Sequence, residues 1–265
     1  MTRKIVFSLA LGAALAACDS IPADDRYIEV EAVKVERTVL LEDFTGQNCV
    51  NCPSAHTIIE ALEEQYAGHL VAVSIHAGVF GISADNKRYT GLMQEEGNVY
   101  NDRYGIDEYP KGVVDGHTPP INADQWAAAV YTDIQQTTPL SITLDAAVGD
   151  DGELDIDCTL SVTEDVDGTL YVWLTESGIV ARQEDKDLGR IPDYVHNNVF
   201  RACVNGVDGE GVALRIGEPH SVSYTLPVKN TDTEKWNPAN MAAVAFVKNA
   251  SGVVQAARCS VSLNE

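Results

Sequence analysis

The side chains best equipped for chemistry stand close together in Leu40–His56, LLEDFTGQNCVNCPSAH. Cys49 and Cys52, separated by Val50 and Asn51, can close a small disulfide ring. A buried-strand pattern, Val39–Leu41, precedes them, and helical spacing follows. Thiols at a helix N-terminus meet the positive end of its dipole, which stabilises a thiolate on the first cysteine. Such a pair suits thiol–disulfide exchange, with a structural disulfide or half of a zinc site as competing readings. A four-cysteine zinc site needs a second close pair, whereas Cys158, Cys203 and Cys259 are scattered. His56 lies on the same helix face as Cys52, and His76 ends the next apolar run. Cys49, Cys52, His56 and His76 could together hold copper or zinc, but such histidines more often serve as surface or hydrogen-bonded groups. No metal is assigned, and thiolate attack through a mixed disulfide needs no dissociable cofactor.

The elements that position this stretch follow from periodicity. Val33–Val35 and Val39–Leu41 read as strands, with Glu42 and Asp43 closing the second. Pro53 fits a first helical turn, where little hydrogen bonding is lost. Ile58, Ile59, Leu62 and Tyr66 then share a face, opposite Glu60, Glu63 and Glu64, and Gly68 suits the C-cap. Leu70–Ile75 is a near-continuous apolar run, expected of a strand covered on both faces. Strand, helix and strand in this order imply a right-handed parallel crossover. The connection from His76 to Arg103 holds Gly78, Gly81 and Gly91, and long insertions of this kind often serve as lids. Asn122 caps a helix over Ala123–Gln136 that places Trp126, Val130 and Ile134 on one face.

Pro139 marks a boundary, after which the hydrophobic period changes from 3.6 to 2. Leu140, Ile142 and Leu144 alternate, as do Leu154, Ile156, Cys158, Leu160 and Val162, and Leu170, Val172 and Leu174. Met241–Val247 and Val253–Leu263 read as a closing hairpin. About seven short strands with turns between them argue for an all-β, antiparallel, Ig-like sandwich. Asp165-Val-Asp-Gly168 lacks the downstream glutamate of a calcium loop and reads as a hairpin turn. One disulfide is expected here, Cys203–Cys259, with Cys158 behaving as a buried apolar side chain. Other pairings of the three cysteines stay open.

At the N-terminus, Arg3 and Lys4 precede Ile5–Ala17, an uncharged run too short to span a bilayer, which takes ~20 residues. Leu15-Ala-Ala-Cys18 resembles the lipobox of bacterial lipoproteins. That resemblance implies cleavage before Cys18 and a lipid on its thiol, with ordinary cleavage after small residues as the alternative. Several acyl chains make a stable anchor. Residues 1–17 are then a signal peptide, and 18–32 a polar tether. The formal net charge is −22, and loss of Arg3 and Lys4 takes it to −24. Such a surface argues against nucleic acid and against electrostatic adhesion to anionic lipid. Export implies an oxidising compartment where disulfides persist.

Asp43-Phe44 stands six and five residues before Cys49, a spacing similar to that before the first active-site cysteine of thioredoxins. Tyr104-Gly-Ile-Asp-Glu-Tyr-Pro110 resembles the thioredoxin segment that ends in a cis-proline. The resemblance implies a thioredoxin-like α/β domain over residues 33–138. In it Cys49 is the attacking nucleophile and Cys52 the resolving thiol. Asp43 is a buried carboxylate that moves protons, and Pro110, in cis with Tyr109 before it, positions a protein or peptide substrate by its backbone. Cys49 should lie exposed and Cys52 shielded. Asn48 replaces the usual tryptophan, and Val50-Asn51 is an unusual central pair, so neither oxidant nor reductant is assigned.

Ile191-Pro-Asp-Tyr-Val-His-Asn-Asn-Val-Phe-Arg201, with the lipobox and TG-x-x-C-x-x-CP, resembles the Omp-twenty-eight-related lipoproteins of Gram-negative outer membranes. That resemblance implies a β-sandwich over residues 139–265 behind the thioredoxin-like domain, on an exported outer-membrane lipoprotein. His196 and Arg201 read as a polar pair at the domain interface. The partners expected are protein or peptide thiols and disulfides, with the membrane reached through lipid. A binding or adhesion lipoprotein with a structural or vestigial disulfide is the competing function.

Overall fold

The computed structural model describes residues 35–263. The expected signal peptide and tether, with Cys18 and with Val33 and Lys34 of the first expected strand, lie outside them. A short β1 (Val35–Glu36), paired with β5 (Thr137–Thr138), leads into β2 (Val39–Thr45), every residue of which is buried. The strand does not close at Glu42 and Asp43. Both acids continue the ladders to parallel β3 (Leu70–His76) and antiparallel β4 (Lys111–Val114), so their backbones are held from both sides. Between β2 and β3 runs α1 (Cys52–Gln65), with Pro53 in its first turn. Ala55, Ile59 and Leu62 of α1 pack on Val39, Leu41, Leu70 and Ala72. After α2 (Glu95–Tyr104), Trp126 and Val130 of α3 (Ala123–Ile134) complete this layer. Full burial of such side chains contributes about 1.5–3 kcal/mol each. Gly112 on β4 makes room for the indole, since a Cβ there would stand 2.2 Å from Trp126 Nε1. Asn122 and Gln125 cap α3 reciprocally.

The later strands divide between two sheets. The smaller joins β6 (Leu140–Val148), β7 (Glu153–Val162), β13 (His220–Pro227) and β16 (Ser262–Leu263) in the order β13-β7-β6-β16. The larger takes β8 (Val166–Glu176), β11 (Val199–Cys203), β14 (Met241–Asn249) and β15 (Gly252–Ser260) and adds them to β2–β4. Its order is β15-β14-β8-β11-β3-β2-β4, with β12 (Glu210–Leu214) on β8. β11 pairs β3 in parallel and β8 antiparallel, so this sheet is mixed rather than wholly antiparallel. Residues 33–138 and 139–265 are therefore divisions of the sequence that share a sheet in space. The alternating side chains of β6, β7, β8 and β14, including Leu154, Ile156, Leu170 and Ala243, fill the core between the two sheets.

That placement corrects the expected Cys203–Cys259 disulfide. Cys158, Cys203 and Cys259 are all free. Cys203 on β11 packs with Tyr100 and Trp173, whereas Cys259 on β15 packs in the core between the sheets. Strands β14 and β8 separate their strands, a distance of roughly 14 Å at 4.8 Å per step. A disulfide needs Cα atoms within about 7 Å. Cys158 is buried among leucines and isoleucine, as expected of a small apolar side chain.

Candidate functional site

Cys49 and Cys52 are joined by a disulfide across the start of α1, with Cα atoms 5.5 Å apart. The Cys49 N–H donates to Gly46 O at 3.0 Å, closing the turn that delivers the chain into the helix. Cys52 is fully buried, as expected, but Cys49 is buried too, at 3% exposure. Its cover is a hairpin of β9 (Ile179–Asp185) and β10 (Gly189–His196), two strands paired only with each other. Gln183 Nε2 donates to Cys49 O at 2.8 Å and to Gly46 O at 3.2 Å. The Glu184 and Lys186 N–H groups donate to Gln47 O and Val50 O at 2.8 and 3.0 Å. Gln47 in turn ties down the long connection after β3, accepting from Leu92 N and donating to Thr90 O. Leu92 then packs against Ile179, Ala181 and Val199. The expectation of an exposed Cys49 did not foresee this hairpin.

A polar layer lies between α1 and the sheet, around His56. Strand alternation puts Asp43 and Thr45 of β2 on the same sheet face as Val39 and Leu41, toward α1. Ser74 and His76 of β3 stand beside them in register. Asp43 is fully buried; Ser74 Oγ donates to its Oδ2 at 3.3 Å, and its Oδ1 has no hydrogen-bond partner among the described residues. Burial, only partly offset by the Ser74 hydrogen bond, pushes its carboxyl up to about 7. His56 reaches down from α1: its Nε2 is 3.6 Å from Asp43 Oδ2 and 3.0 Å from Thr45 Oγ1. Its Nδ1 is 2.9 Å from the hydroxyl of Tyr194 on the hairpin. Burial pushes His56 down to about 4.

His196, from the same hairpin strand, stands 5.3 Å from His76, 6.5 Å from His56 and 4.8 Å from Tyr194, ring centre to ring centre. Burial holds His76 and His196 neutral, His196 at about 3. Arg201 does not join it. It pairs with Glu176 and Glu234, each at 3.2 Å, in a separate buried cluster, so the expected His196–Arg201 pair is two sites. Among the described residues, no group of three or more His, Cys, Asp or Glu side chains stands in metal-binding geometry.

The Tyr109–Pro110 bond is cis. Pro110 immediately precedes β4, whose Lys111 pairs with Phe44. The Tyr109 hydroxyl donates to Asn101 Oδ1, and its ring lies 5.4 Å from Phe80. Phe80 O accepts from Asn48 N at 2.9 Å, so Tyr109 is linked to the cysteine turn through one residue. The structure thus places Cys49 and Cys52 at the start of α1, Asp43 beside His56 of the same helix, and Tyr109 next to Phe80, which is bonded to the cysteine turn. Gln183, Tyr194 and His196 were missed as site residues. The Tyr-Val-His-Asn stretch is the signal for Tyr194 and His196, whereas Gln183 carries none of its own.

Fold and site define a β-rich, mixed-sheet protein carrying a covered disulfide at the mouth of its helical layer. Residues 97–265 match the family model described as Outer membrane protein Omp28, and the chain belongs to that family. Membership implies a place in the cell envelope. No curated protein sequence matches the chain. Among solved structures it is similar to HBP35 of Porphyromonas gingivalis, at 15% identity and a TM-score of 0.62, over 85% of this chain and 76% of that one. It is also similar to protein AGR_C_4864 from Agrobacterium tumefaciens, at 16% identity and a TM-score of 0.52, over 84% of this chain and 95% of the other. At such identities the likeness concerns the fold. No helix among the described residues is long and apolar enough to cross a membrane.

Proposed function

We propose that this protein is an envelope lipoprotein, held by lipid on Cys18, whose Cys49–Cys52 pair exchanges disulfides with protein or peptide thiols. On this reading β2, α1, β3, β4 and α3 form a thioredoxin-like unit over residues 33–138, joined edge to edge with a β-sandwich over 139–265. The observation that carries the reading is a disulfide at the N-terminus of α1, with a buried carboxyl whose pKa stands at about 7 on the strand that α1 packs against, 3.6 Å from His56 of that helix. Cys49, at the outer end of the turn, attacks the substrate, and Cys52 resolves the mixed disulfide. Asp43 takes the Cys52 proton. Tyr109 and Pro110 flank the bound chain. Both sulfurs are covered, so the β9–β10 hairpin must lift for exchange.

That cover also favours a second reading, a binding or adhesion lipoprotein with a structural disulfide. The outer face of the hairpin presents Val180 and Val195, cross-strand neighbours that are both more than half exposed. Two measurements separate the readings. Cys52→Ser should accumulate mixed disulfides with envelope proteins on non-reducing gels, and Cys49→Ser none. The reduction potential should lie above about −300 mV for an exchanging pair and below it for a structural bond. Empty lanes for both variants, with a potential below that mark, would reject exchange.

A further inference from the structure

Exchange moves protons as well as electrons, and Asp43 lies too deep to trade protons with water by itself. It is fully buried on the sheet face toward α1. His56 bridges the gap, with Nε2 toward Asp43 Oδ2 at 3.6 Å and Nδ1 against Tyr194 Oη at 2.9 Å. Tyr194 and His56 in turn line a small polar pocket with Glu60, Glu63, Ser74 and Asn198. We propose that His56 and Tyr194 form the proton path between Asp43 and solvent, an assignment that rests on the exchange reading above. The Tyr-Val-His-Asn stretch thereby acquires a role: it brings a hydroxyl across from the hairpin to the far nitrogen of the His56 ring.

The chemistry balances as follows. Cys49 thiolate attacks a substrate disulfide, releasing one substrate thiolate and forming a mixed disulfide. The Cys52 thiol then gives its proton to the Asp43 carboxylate, and its thiolate attacks Cys49 Sγ. The Cys49–substrate bond breaks, and the second substrate sulfur leaves with the electron pair and is protonated by water. The substrate disulfide has gained two electrons, and the protein dithiol has lost them. Asp43 must be empty before it can take the Cys52 proton, and because burial leaves it largely protonated near pH 6–7, resolution waits on the release of the proton it holds. That proton passes to His56 Nε2 while the Nδ1 proton moves to Tyr194 Oη and the tyrosine proton goes to the pocket. Reduction of Cys49–Cys52 by a partner dithiol runs the same path inward and restores the starting tautomer.

The surroundings suit a relay rather than a charged store. The groups facing His56 are Asp43 and Thr45 from β2, Glu60 and Glu63 from α1, His76 from β3, and Tyr194 and His196 from β10. The neutral His76 and His196 rings and the depth of the site disfavour a lasting imidazolium, so the ring hands a proton on as it receives one.

The test follows the lifetime of the adduct on Cys49. The reduced full-length protein is mixed with glutathione disulfide, quenched in acid and counted by mass spectrometry from about pH 6 to 9.5. His56→Gln and Tyr194→Phe should form the adduct at the wild-type rate and resolve it about tenfold or more slowly near pH 6–7. The difference should fade above about pH 9, where hydroxide serves Cys52 directly. Added imidazole should speed resolution in His56→Ala but leave Tyr194→Phe unchanged. Variants that resolve at the wild-type rate near pH 6–7 overturn the relay while leaving exchange intact. Variants slowed equally in both steps and at every pH also overturn it, because that pattern is a structural effect. A wild-type protein that forms no adduct overturns the exchange reading and the relay with it.

Discussion

Replacing Asp43 with asparagine should make the protein more stable, and the gain should depend on pH. The carboxyl is fully buried, one of its oxygens has no partner, and its pKa stands at about 7 against 3.8 unperturbed. A carboxyl whose folded pKa is raised binds protons more tightly when folded. Stability is therefore lost as pH rises from the unfolded pKa through the folded one, the reverse of a salt-bridged aspartate. At about pH 3.5 both states hold the proton and the cost is near zero. By about pH 8.5 both have released it, and ionised Asp43 costs the fold about 4 kcal/mol, an upper bound if water reaches the site. Asparagine is the same size and can still accept from Ser74, so it removes the charge without leaving a cavity. Urea unfolding of both proteins across this range should show a stability difference that grows by about 2–4 kcal/mol toward alkaline pH, most of it below pH 7. A constant difference, or one that shrinks with rising pH, would refute the account of Asp43 as a desolvated carboxyl.

Other outcomes follow from the same geometry. Gln183→Ala removes the donor to Cys49 O; Gly46 O keeps the Cys49 N–H, but the buried Cys49 carbonyl loses its partner at about 1–3 kcal/mol. The disulfide should then be reduced by a small dithiol about tenfold faster, read by alkylation and mass spectrometry; an unchanged rate would mean that the hairpin is not the barrier. Arg201→Ala strands Glu176 in the interior, while Glu234 keeps Lys229, and should cost about 3–5 kcal/mol in chemical denaturation. Cys18→Ser should move the mature protein into the soluble envelope fraction, and retention on membranes after a high-salt wash would place the anchor elsewhere.

The cysteine turn, α1, β3 and α3 were legible because each rests on a local pattern: an apolar run, a helical stripe, a proline in a first turn or a capping pair. The alternation of β6, β7 and β8 was equally plain. What the sequence concealed was pairing between distant segments. Val199 stands beside Ser74 because β11 completes the edge of β3, and nothing in either strand's composition names its neighbour. The free Cys203 and Cys259 were mispaired for the same reason, since alternation assigns a face within a strand but not the order of strands. The covered state of Cys49 escaped too. Gln183 is an ordinary polar residue until the hairpin folds over the turn, and His196 lost its expected partner Arg201 because adjacent strands carry them to different clusters.

The hairpin also sets a schedule. Gln183 seals the cysteine turn from a position 134 residues further along the chain. A polypeptide that enters the envelope N-terminus first presents Cys49 and Cys52 well before the segment that will enclose them. During that interval the thiols are open to any oxidant of the compartment, and afterwards they are shut away. The first oxidation of the pair is therefore easiest during export, and a molecule that misses the interval carries its dithiol inward until the hairpin lifts. Newly secreted and mature protein should differ in how readily this one pair reacts, although their sequence and final fold are the same.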